Sequence, residues 1–476
     1  MKNNSHFDLI ILGSGSTAFA AAISAAAQGK MVLMTEERTL GGTCLNRGCV
    51  PSKNLIEAAH QWHNAANSRF SGIYTKQERL DFKELIDQKD EIISFMAKGK
   101  YKSIVDLSEK IKITTGHASF IDSHSIEVNG THFTGDQILI ATGAQPDIPD
   151  IPGLPNTPYL TSDLLTRDEK QELKEVPEIL IIIGGGYIAL ELGQMFKRFG
   201  SNVIILERSD HILSKYEPEI GIELQDLLIK EGVDIRAKVE IIKVENTPKG
   251  IDVQTSSGRI QGTHLLVATG RRPNTDSIGL ERINLKIDKE GFILTDDHLR
   301  TNVSHIWAAG DVIKGQMATP VGGHDGSIVA HNAFSSVNRR MDHSLIPRAI
   351  FTDPQVAVVG LSEKEAESQG IQCRCSVVLL KHLPRAVAIR DTRGLIKMLI
   401  EKSSEQIIGV SILSPHASEL IHMAVLAIKA KMTIDDLIDT IFVYPTFSEA
   451  LKLVALSFNT DVSKLSCCAE GFQRNK

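Results

Sequence analysis

Long apolar runs are missing from this chain of 476 residues. A membrane-spanning helix needs about 20 consecutive apolar residues, and no uncharged segment of the sequence approaches that length. The short apolar run at residues 9–12 also lacks the length and the cleavage site of a signal peptide. We therefore expect a cytoplasmic protein that does not insert into a membrane.

An excess of positive charge is missing as well, because 52 Lys and Arg face 58 Asp and Glu, which gives a formal net charge of −6. Proteins that bind nucleic acid usually carry a basic patch or stripe that neutralises phosphates. The sequence contains no such stripe and therefore argues against a nucleic-acid partner.

Cysteine is scarce, with six in the whole chain, and it occurs in close pairs. A small secreted protein would instead spread its cysteines through a disulfide framework. The pairs are Cys44/Cys49, Cys373/Cys375 and Cys467/Cys468. Such local pairs in a cytoplasmic chain favour redox or metal chemistry.

What the chain does contain is 42% apolar residues and 36 glycines, which suit an α/β protein of two to four domains. Residues 8–36 predict a strand, the turn Gly-Ser-Gly-Ser-Thr-Ala at 13–18, a helix and a second strand. The same order returns at 178–207, with Gly-Gly-Gly-Tyr-Ile-Ala at 184–189. Two Rossmann-like dinucleotide-binding domains are therefore expected.

The first unit has the residues that a dinucleotide requires. Gly13 permits the tight turn, Gly15 lets the backbone approach a pyrophosphate, and Ala18 allows close helix packing. Glu36, at the end of the next strand, can accept hydrogen bonds from ribose hydroxyls. Asp311, in Trp-Ala-Ala-Gly-Asp at 307–311, is a candidate to bind the ribityl chain of FAD, and a helix cap is its alternative role.

The second unit repeats these positions with Gly184, Gly186, Ala189 and Glu207. We expect it to bind the nicotinamide nucleotide. Glu207 favours NADH because a carboxylate repels a 2′-phosphate, whereas the adjacent Arg208 could supply the charge that NADPH requires. Tyr187 could cover the flavin as a gate or simply pack.

Domain boundaries follow from repeated strands and from prolines. The segments 138–143 and 265–270 both end an apolar strand with Ala-Thr-Gly, which argues for two related domains. Five prolines at 146–158 predict a linker, and 89–112 is expected to be a charged scaffolding helix. We predict an FAD-binding domain at 1–146 and 274–343, an NAD(P)-binding domain at 147–273 and an α+β domain at 344–476.

The segment Gly-Gly-Thr-Cys-Leu-Asn-Arg-Gly-Cys-Val-Pro-Ser-Lys at 41–53 follows the first flavin-site strand closely. Together with both glycine motifs, both Ala-Thr-Gly strands and the Gly-Asp at 310–311, it resembles the family of lipoamide dehydrogenase and glutathione reductase over nearly the whole chain. The resemblance implies that Cys49 is the flavin-proximal charge-transfer thiol and Cys44 the interchange thiol, with Lys53 and Glu191 as an ion pair beside the flavin. A structural disulfide is the alternative.

The C-terminal region departs from those disulfide reductases, which carry His-Pro-Thr and a Glu five residues after the His as a source of protons for the leaving thiolate. Here the segment begins with Tyr444 and ends with Glu449. Tyrosine, with an ordinary pKa of about 10, cannot exchange protons near neutral pH as histidine does. The change argues against lipoamide and glutathione as substrates.

Ser-Cys-Cys-Ala at 466–469, Pro-Arg-Ala at 384–386 and Asp-Thr-Arg-Gly at 391–394, taken with Tyr444, resemble the mercuric reductases of this family. The resemblance implies that Cys467 and Cys468 collect Hg(II) from thiol adducts and pass it to the first cysteine pair. Electrons from NAD(P)H would reach the metal through FAD and give Hg(0). A homodimer is also implied, formed through residues 344–476, in which the tail and the Tyr444 segment serve the opposite subunit.

These arguments define two sets of residues. The expected catalytic residues are Cys44, Cys49, Cys467, Cys468, Tyr187, Tyr444, Lys53, Glu191 and Glu449, with the four cysteines as metal ligands. The expected cofactor-binding residues are Gly13, Gly15, Ala18, Glu36, Gly42, Thr43, Lys53, Ala118, Thr142, Gly143, Gly184, Gly186, Ala189, Glu207, Arg208, Gly270 and Asp311.

Several alternatives stay open. A lipoamide-dehydrogenase-like enzyme for another disulfide, or a flavoprotein that sequesters mercury without reducing it, would share this core. Many mercuric reductases begin with a further Cys-x-x-Cys domain, whereas this sequence begins at the flavin domain, so we expect delivery by the tail or by small thiols. Arg47 could lower a thiolate pKa, and Cys373 and Cys375 share a strand face without an assigned role.

Overall fold

The computed structural model describes residues 6–167 and 171–464. The strands in chain order are β1 (His6–Leu12), β2 (Val32–Glu36), β3 (Ile111–Thr115), β4 (Ala118–Asp122), β5 (Ser125–Val128), β6 (Thr131–Ile140), β7 (Ala144–Pro146), β8 (Ile179–Ile183), β9 (Asn202–Leu206), β10 (Asp234–Arg236), β11 (Ile241–Thr247), β12 (Gly250–Thr255), β13 (Gly258–Gly262), β14 (His264–Val267), β15 (Arg271–Pro273), β16 (Ile306–Ala308), β17 (Arg348–Ile350), β18 (Gln355–Gly360), β19 (Cys373–Leu379), β20 (Leu395–Glu401) and β21 (Ile407–Ser414). The helices are α1 (Ser16–Ala27), α2 (Gly42–Asn46), α3 (Cys49–Ala66), α4 (Phe82–Ala97), α5 (Ser103–Asp106), α6 (Tyr187–Phe199), α7 (Pro218–Lys230), α8 (Thr319–Phe334), α9 (Glu363–Ser368), α10 (Pro384–Ala388), α11 (Ala417–Lys429), α12 (Ile434–Asp439) and α13 (Ala450–Leu456).

The first sheet has a parallel half in the order β3-β2-β1-β6-β16 and an antiparallel extension from β6 through β5 to β4. Apolar, β-branched residues fill β1 and β6 because helices cover parallel strands on both faces. The core joins residues 7–141 to residues 278–330, so that distant parts of the chain build one layer around this sheet. The predicted βαβ unit at residues 8–36 is confirmed as β1, α1 and β2.

The second sheet is parallel, in the order β10-β9-β8-β14, and lies next to the antiparallel sheet β11-β12-β13. Its β8, α6 and β9 confirm the second predicted βαβ unit. The register sets Val267 opposite Ile183, and Gly184 follows directly. The second glycine loop therefore lies at the carboxyl end of this sheet, where ligands of open α/β sheets bind.

The chain leaves the first sheet and returns to it through two paired strands. β7 and β15 are antiparallel, with Pro146 opposite Arg271. The proline-rich segment after Pro146 was expected to be a linker, but it is packed: Leu154 is fully buried and the carbonyl of Pro152 accepts a hydrogen bond from Val244 at 2.9 Å. Proline rigidity here shapes a packed crossing.

The third region is an antiparallel sheet in the order β17-β18-β21-β20-β19, with α11 against β18 and β21 and α13 against β19 and β20. Strands β18 and β21 and helix α11 agree with the α+β pattern expected in this part of the sequence. The whole arrangement is mixed α/β, as the sequence predicts.

The helical prediction for residues 89–112 is wrong at its end. Helix α4 continues through a wider turn at Lys98–Lys102 into α5, which ends at Asp106. Ile111 begins β3, because β-branched residues there pair in parallel with β2. Within the described part of the chain, no helix combines the length and the apolar character that a membrane crossing requires.

Candidate active site

The first glycine loop joins β1 to α1. Gly13 has a φ of +115°, and a Cβ at this position would lie 2.3 Å from the carbonyl oxygen of Ala141, so only glycine fits the turn. A Cβ at Gly15 would meet no atom within 4 Å. Helix α1 begins after Gly15 without a side-chain cap, which leaves its first N–H groups available to an anion.

The second loop repeats this geometry between β8 and α6. Gly184 has a φ of +110°, and a Cβ there would lie 2.5 Å from the carbonyl oxygen of Ala268. A Cβ at Gly186 would meet no atom within 4 Å, and α6 also begins without a side-chain cap. Each Ala-Thr-Gly tripeptide therefore forms the wall against which a glycine turn packs.

The acidic residues after β2 and β9 hold their own glycine loops. Glu36 accepts a hydrogen bond from the hydroxyl of Ser14 at 2.5 Å, and Glu207 accepts one from the backbone N–H of Gly185 at 2.6 Å. Carboxylate oxygens have further lone pairs for ribose hydroxyls. Arg208 is exposed beside Glu207. The ribose contacts themselves stay a prediction.

The two cysteines of the loop lie in successive helices, Cys44 in α2 and Cys49 at the start of α3, and both are free thiols. A hydrogen bond from Cys44, a contact of 3.7 Å with the hydroxyl of Thr319 and the charge of Lys53 lower the pKa of Cys49 to about 6, against the opposing effect of burial. The same hydrogen bond and burial raise the pKa of Cys44. Cys49 is therefore the thiolate of the pair at neutral pH.

Lys53 and Glu191 form the expected ion pair between α3 and α6. Their Nζ and Oε2 atoms are 2.7 Å apart. The other carboxylate oxygen of Glu191 accepts a hydrogen bond from the backbone N–H of Phe351 at 2.8 Å, and the Lys53 ammonium lies 4.7 Å from the ring centroid of Phe351. This pair connects the helix that carries Cys49 to the helix that follows the second glycine loop.

Tyr187 begins α6, directly after the second glycine loop, and charged groups from several parts of the chain act on it. Although 42% of its side chain is exposed, desolvation by the walls of the cleft raises the pKa of Tyr187 to about 12. Arg271, Glu191, Asp311 and Cys49 are the charges that act on its hydroxyl. Burial raises the pKa of Asp311, and Arg271 opposes this shift. These side chains belong to one cleft between the two glycine loops.

The remaining predicted residues support the two loops. A Cβ at Gly42 would lie 2.7 Å from the Cα of Gly15, so the segment that carries Cys44 packs directly on the first loop. The hydroxyl of Thr142 donates to the carbonyl of Asn274 at 2.7 Å. Ala18 and Ala189 are fully buried beneath the loops. The others lie in α2, at strand ends or in adjoining turns: Thr43, Ala118, Gly143 and Gly270.

Arg47 is buried, donates a hydrogen bond to the hydroxyl of Thr39 at 3.1 Å and lies 3.8 Å from the carboxylate of Asp163. Its effect on the thiolate pKa stays a prediction. The guanidinium joins the cysteine loop to the region that precedes β8.

Tyr444 and Glu449 lie in the third region, between α12 and α13. Within the described residues, one carboxylate oxygen of Glu449 is buried without a hydrogen-bond partner, and burial raises the pKa of this group. Cys467 and Cys468 lie outside the described residues. Their contact with the opposite subunit stays a prediction.

Three residues of the cleft were missed from the sequence: Thr319, Arg271 and Asp325. Thr319 begins α8, and the proline that follows it is a helix-start signal that could have found it. Asp325 is buried within α8, with one oxygen near the backbone N–H of Gly310 at 3.3 Å and the other without a hydrogen-bond partner among the described groups. An isolated Asp within a helix belongs to no motif, so the sequence does not identify Asp325 as a residue of the cleft.

The arrangement fits FAD at the first loop. The space beside Gly15 and the uncapped start of α1 suit a pyrophosphate. The site combines the Cys49 thiolate, the positive charge of Lys53 and the aromatic ring of Tyr187. The two thiols can exchange ligands at sulfur, and bound FAD would supply the capacity for two electrons.

Comparisons with known proteins agree on this chemistry. Residues 7–333 match the family model for pyridine nucleotide-disulphide oxidoreductases, and residues 346–455 match the dimerisation domain of the same family. The second match supports a homodimer formed through the third region. FAD and a pyridine nucleotide are the cofactors of such proteins.

The similar proteins are named either mercuric reductase or flavoprotein disulfide reductase. Mercuric reductase of Staphylococcus aureus is 42% identical, over 97% of this chain and 84% of that protein. Mercuric reductase of Streptomyces lividans is 40% identical, over 98% of this chain and all of that protein. A solved structure of the HOCl-induced flavoprotein disulfide reductase RclA of Escherichia coli has a TM-score of 0.84 at 30% identity, and the match covers 95% of this chain and 100% of that one.

Proposed function

Because this chain belongs to the pyridine nucleotide-disulphide oxidoreductase family, whose members are flavin-dependent oxidoreductases, we propose that it reduces Hg(II) to Hg(0) with electrons from NAD(P)H. The observation that carries the proposal is the free Cys44–Cys49 pair, with a thiolate at Cys49, between two dinucleotide loops. Mercuric reductases at 37–42% identity support mercury as the substrate.

Ligand exchange at sulfur brings the metal into the site. The Cys49 thiolate replaces one small thiolate of an RS–Hg–SR adduct, and Cys44 then replaces the second and gives up its proton to that leaving thiolate. Two thiolates in line suit a soft d¹⁰ cation. Bound FAD would supply the passage of two electrons from the nicotinamide to the metal. Departure of Hg(0) leaves both thiolates in the protein.

Neighbouring groups keep the pair ready for exchange. Lys53 provides a positive charge that favours the Cys49 thiolate, and Glu191 holds Lys53 in position. Tyr187 covers the cleft from the side of the nicotinamide loop. Reduction of the metal needs no acid for a departing organic thiolate, which agrees with a tyrosine at position 444.

We propose further that Cys467 and Cys468 deliver the metal, and that Tyr444 and Glu449 complete the pocket of the opposite subunit. The dimerisation domain supports this arrangement. The exposed Arg208 favours NADPH because it can contact a 2′-phosphate, while Glu207 is engaged by the glycine loop. An Arg208→Ala variant should raise the KM for NADPH and leave the KM for NADH nearly unchanged.

The test is mercury-dependent oxidation of NADPH and NADH by the purified flavoprotein with excess small thiol. Sustained turnover with release of volatile mercury supports the proposal. A Cys467→Ala/Cys468→Ala variant should lose activity when small thiol is limiting, whereas a Cys373→Ser/Cys375→Ser variant is the matched control and should retain it. Stoichiometric binding without turnover would show a mercury-sequestering flavoprotein and overturn the proposal.

A second candidate is reduction of an organic disulfide, favoured by the similarity to a flavoprotein disulfide reductase. It predicts turnover with a disulfide substrate and no effect of removing Cys467 and Cys468. Turnover with a disulfide but none with mercury would establish this candidate in place of the first.

A further inference from the structure

A second pair of thiols lies outside the cleft, on strand β19. This strand is at the edge of the five-stranded sheet, and both Cys373 and Cys375 are free and at least partly exposed. Residues two apart in a strand point to the same face. Cys373 and Cys375 therefore stand side by side, accessible from solvent, on the face that they share with Val377.

The opposite face of β19 is fixed to the rest of the domain. Arg374 donates a hydrogen bond to the carbonyl of Phe458 at 3.0 Å, and the hydroxyls of Ser376 and Ser457 are 2.7 Å apart. All seven residues of β19 pair in unbroken register with β20. The strand therefore holds an extended conformation, and the separation of the two thiols is set by the backbone.

The separation of the two thiols decides whether they can form a disulfide or bind one cation together. At about 3.4 Å per residue, positions two apart in a strand are about 7 Å apart. A disulfide needs Cβ atoms about 3.8 Å apart, so it would require β19 to buckle and lose its pairing. Two thiolates on one cation need a sulfur–sulfur span of about 4.6 Å, taking the Zn–S length of about 2.3 Å as the scale. Side chains that lean together reach this span without backbone movement.

The surroundings of the pair are polar and charged. Burial and the nearby carboxylate of Glu363 raise the pKa of the Cys375 thiol to about 11, and Glu363 in turn lies 2.8 Å from the ammonium of Lys397. The departing small thiolate takes up the proton of Cys375 during the exchange, so that no proton has to pass to Glu363. Glu401, directly opposite Cys373 in the register, adds a second carboxylate.

From this geometry we propose that Cys373 and Cys375 form a two-coordinate site for a thiophilic cation such as Hg(II), separate from the catalytic cysteines. Binding is a ligand exchange, in which RS–Hg–SR and two protein thiols give one protein-bound Hg(II) and two RSH, without any change of oxidation state. The proposal does not depend on the proposed reductase activity, because it requires binding and no turnover.

The first experiment isolates the pair. In a full chain with Cys44, Cys49, Cys467 and Cys468 all replaced by Ser, mercury(II) chloride premixed with two equivalents of cysteine is added and unbound metal is removed by gel filtration. We expect one Hg(II) per chain to remain. Either Cys373→Ser or Cys375→Ser, introduced alone into this variant, should abolish the retention of Hg(II), because a linear site needs both sulfurs.

The second experiment uses the unaltered protein and decides the matter if the multiple variant does not fold. Alkylation of Cys373 and Cys375 by iodoacetamide, followed by mass spectrometry, should be suppressed by one further equivalent of Hg(II) after both other cysteine pairs, Cys44/Cys49 and Cys467/Cys468, are filled. No retention by a folded, FAD-containing variant, retention that survives either Ser substitution, no protection of the thiols, or a Cys373–Cys375 disulfide would each overturn the proposal.

Discussion

Cys49 is reactive because several short contacts act on one sulfur atom. The hydrogen bond from Cys44 has the largest effect, the hydroxyl of Thr319 adds to it, and Lys53 contributes a positive charge. Burial and Glu191 oppose these effects. The thiolate state therefore depends on residues from three separate segments of the chain.

The pH dependence of alkylation should follow this balance. In the dithiol form, the rate of reaction of Cys49 with iodoacetamide should rise through a midpoint near pH 6, because its pKa is lowered to about 6. Lys53→Met removes a stabilising charge and should move the midpoint upward, whereas Glu191→Gln should move it downward. A midpoint unchanged in both variants would contradict the assignment of these charges.

The two glycines of the first loop should respond differently to alanine. Gly13→Ala places a methyl group against the carbonyl of Ala141 at a positive φ, so we expect the FAD-free protein to lose about 2 kcal/mol or more of its free energy of unfolding. Gly15→Ala meets no protein atom and should leave that free energy within about 0.5 kcal/mol, but it should weaken FAD binding. Urea unfolding and flavin titration separate the two effects. Equal FAD affinity for Gly15→Ala and wild type would contradict a cofactor beside Gly15.

At the residue scale, the sequence predicts those site residues that belong to a local motif or to a family resemblance. Gly13, Gly184 and the pair Lys53–Glu191 were accessible through motif and resemblance. The positions of Thr319 and Arg271 in the cleft were not, because both reach it through the tertiary fold, and the helix-start signal at Thr319 does not indicate contact with Cys49.

Among the helices, α1 and α8 make the closest contact. A Cβ at Gly326 would lie 2.1 Å from the carbonyl of Thr17 and 3.1 Å from the backbone nitrogen of Ala21. Small residues on both helices allow this approach, which sets the orientation of α1 below the first glycine loop.

Alanine at neighbouring positions of α8 should have opposite effects. Gly326→Ala must separate the two helices and should lower the free energy of unfolding by about 1–3 kcal/mol. Gly323→Ala is the matched control, because a Cβ there meets no atom within 4 Å and alanine has the higher helix propensity, worth up to about 1 kcal/mol. Thermal unfolding of both variants checks this; similar melting temperatures would contradict it.

Helices α3 and α6 share a buried charged network behind the cleft. Asp353, in the turn between β17 and β18, accepts hydrogen bonds from Arg198 at 2.8 Å and Arg393 at 2.9 Å, and lies 3.1 Å from His60. Burial acts to raise the pKa of Asp353, but the hydrogen bond with His60 and the charges of Arg393 and Arg198 lower it far below its usual range.

Acid should remove the stability that this network provides. Since the folded-state pKa of Asp353 is depressed, its contribution is present above the unfolded pKa of about 3.9 and is lost as the pH falls below that value. Asp353→Asn should cost about 3–5 kcal/mol at pH 7 and about 1 kcal/mol less at pH 3, because each pH unit below the unfolded pKa removes about 1.4 kcal/mol of the contribution. Asp234→Asn, which breaks an exposed pair with Arg236, is the control and should cost less than about 1 kcal/mol. Urea unfolding at both pH values distinguishes them, and a cost that does not change with pH would count against the network.

At the element scale, periodicity predicted both βαβ units, while the end of the helix at 89–112 was wrong. The residues near Ile111 are charged enough for a helical surface, yet their pairing with β2 decides their structure. Parallel pairing between distant strands leaves no local signal that could outweigh the charge pattern.

At the scale of the whole molecule, Lys397 is one of the buried charges that join the second and third regions. Lys397 on β20 is fully buried and contacts Glu217 at 2.9 Å, Glu219 at 3.0 Å and Glu363 at 2.8 Å. Burial acts to lower the pKa of Lys397, but the three carboxylates raise it above its usual range.

Removing this lysine should loosen the contact between the regions. Lys397→Met leaves the buried carboxylate of Glu217 without its cation and should cost about 3–5 kcal/mol. A second change, Glu217→Gln, should restore part of the loss, and Lys243→Met, at an exposed pair with Glu245, is the control. Calorimetry should show the melting transition of Lys397→Met at lower temperature; no recovery in the double variant would contradict the pairing.

Each region carries its own motif in the sequence, but no motif predicts how the regions dock. Lys397 and Asp353 show why: their partners lie far away in the chain, and single buried charges have no sequence pattern.

The paired strands β7 and β15 have a consequence for the history of such a chain. Pro146 and Arg271 face each other, so everything between them leaves and re-enters the first region at one point. A tight hairpin turn could close that point without displacing either strand. The segment between them is thus built as a cassette, which recombination could insert, exchange or delete while the remaining scaffold keeps its fold.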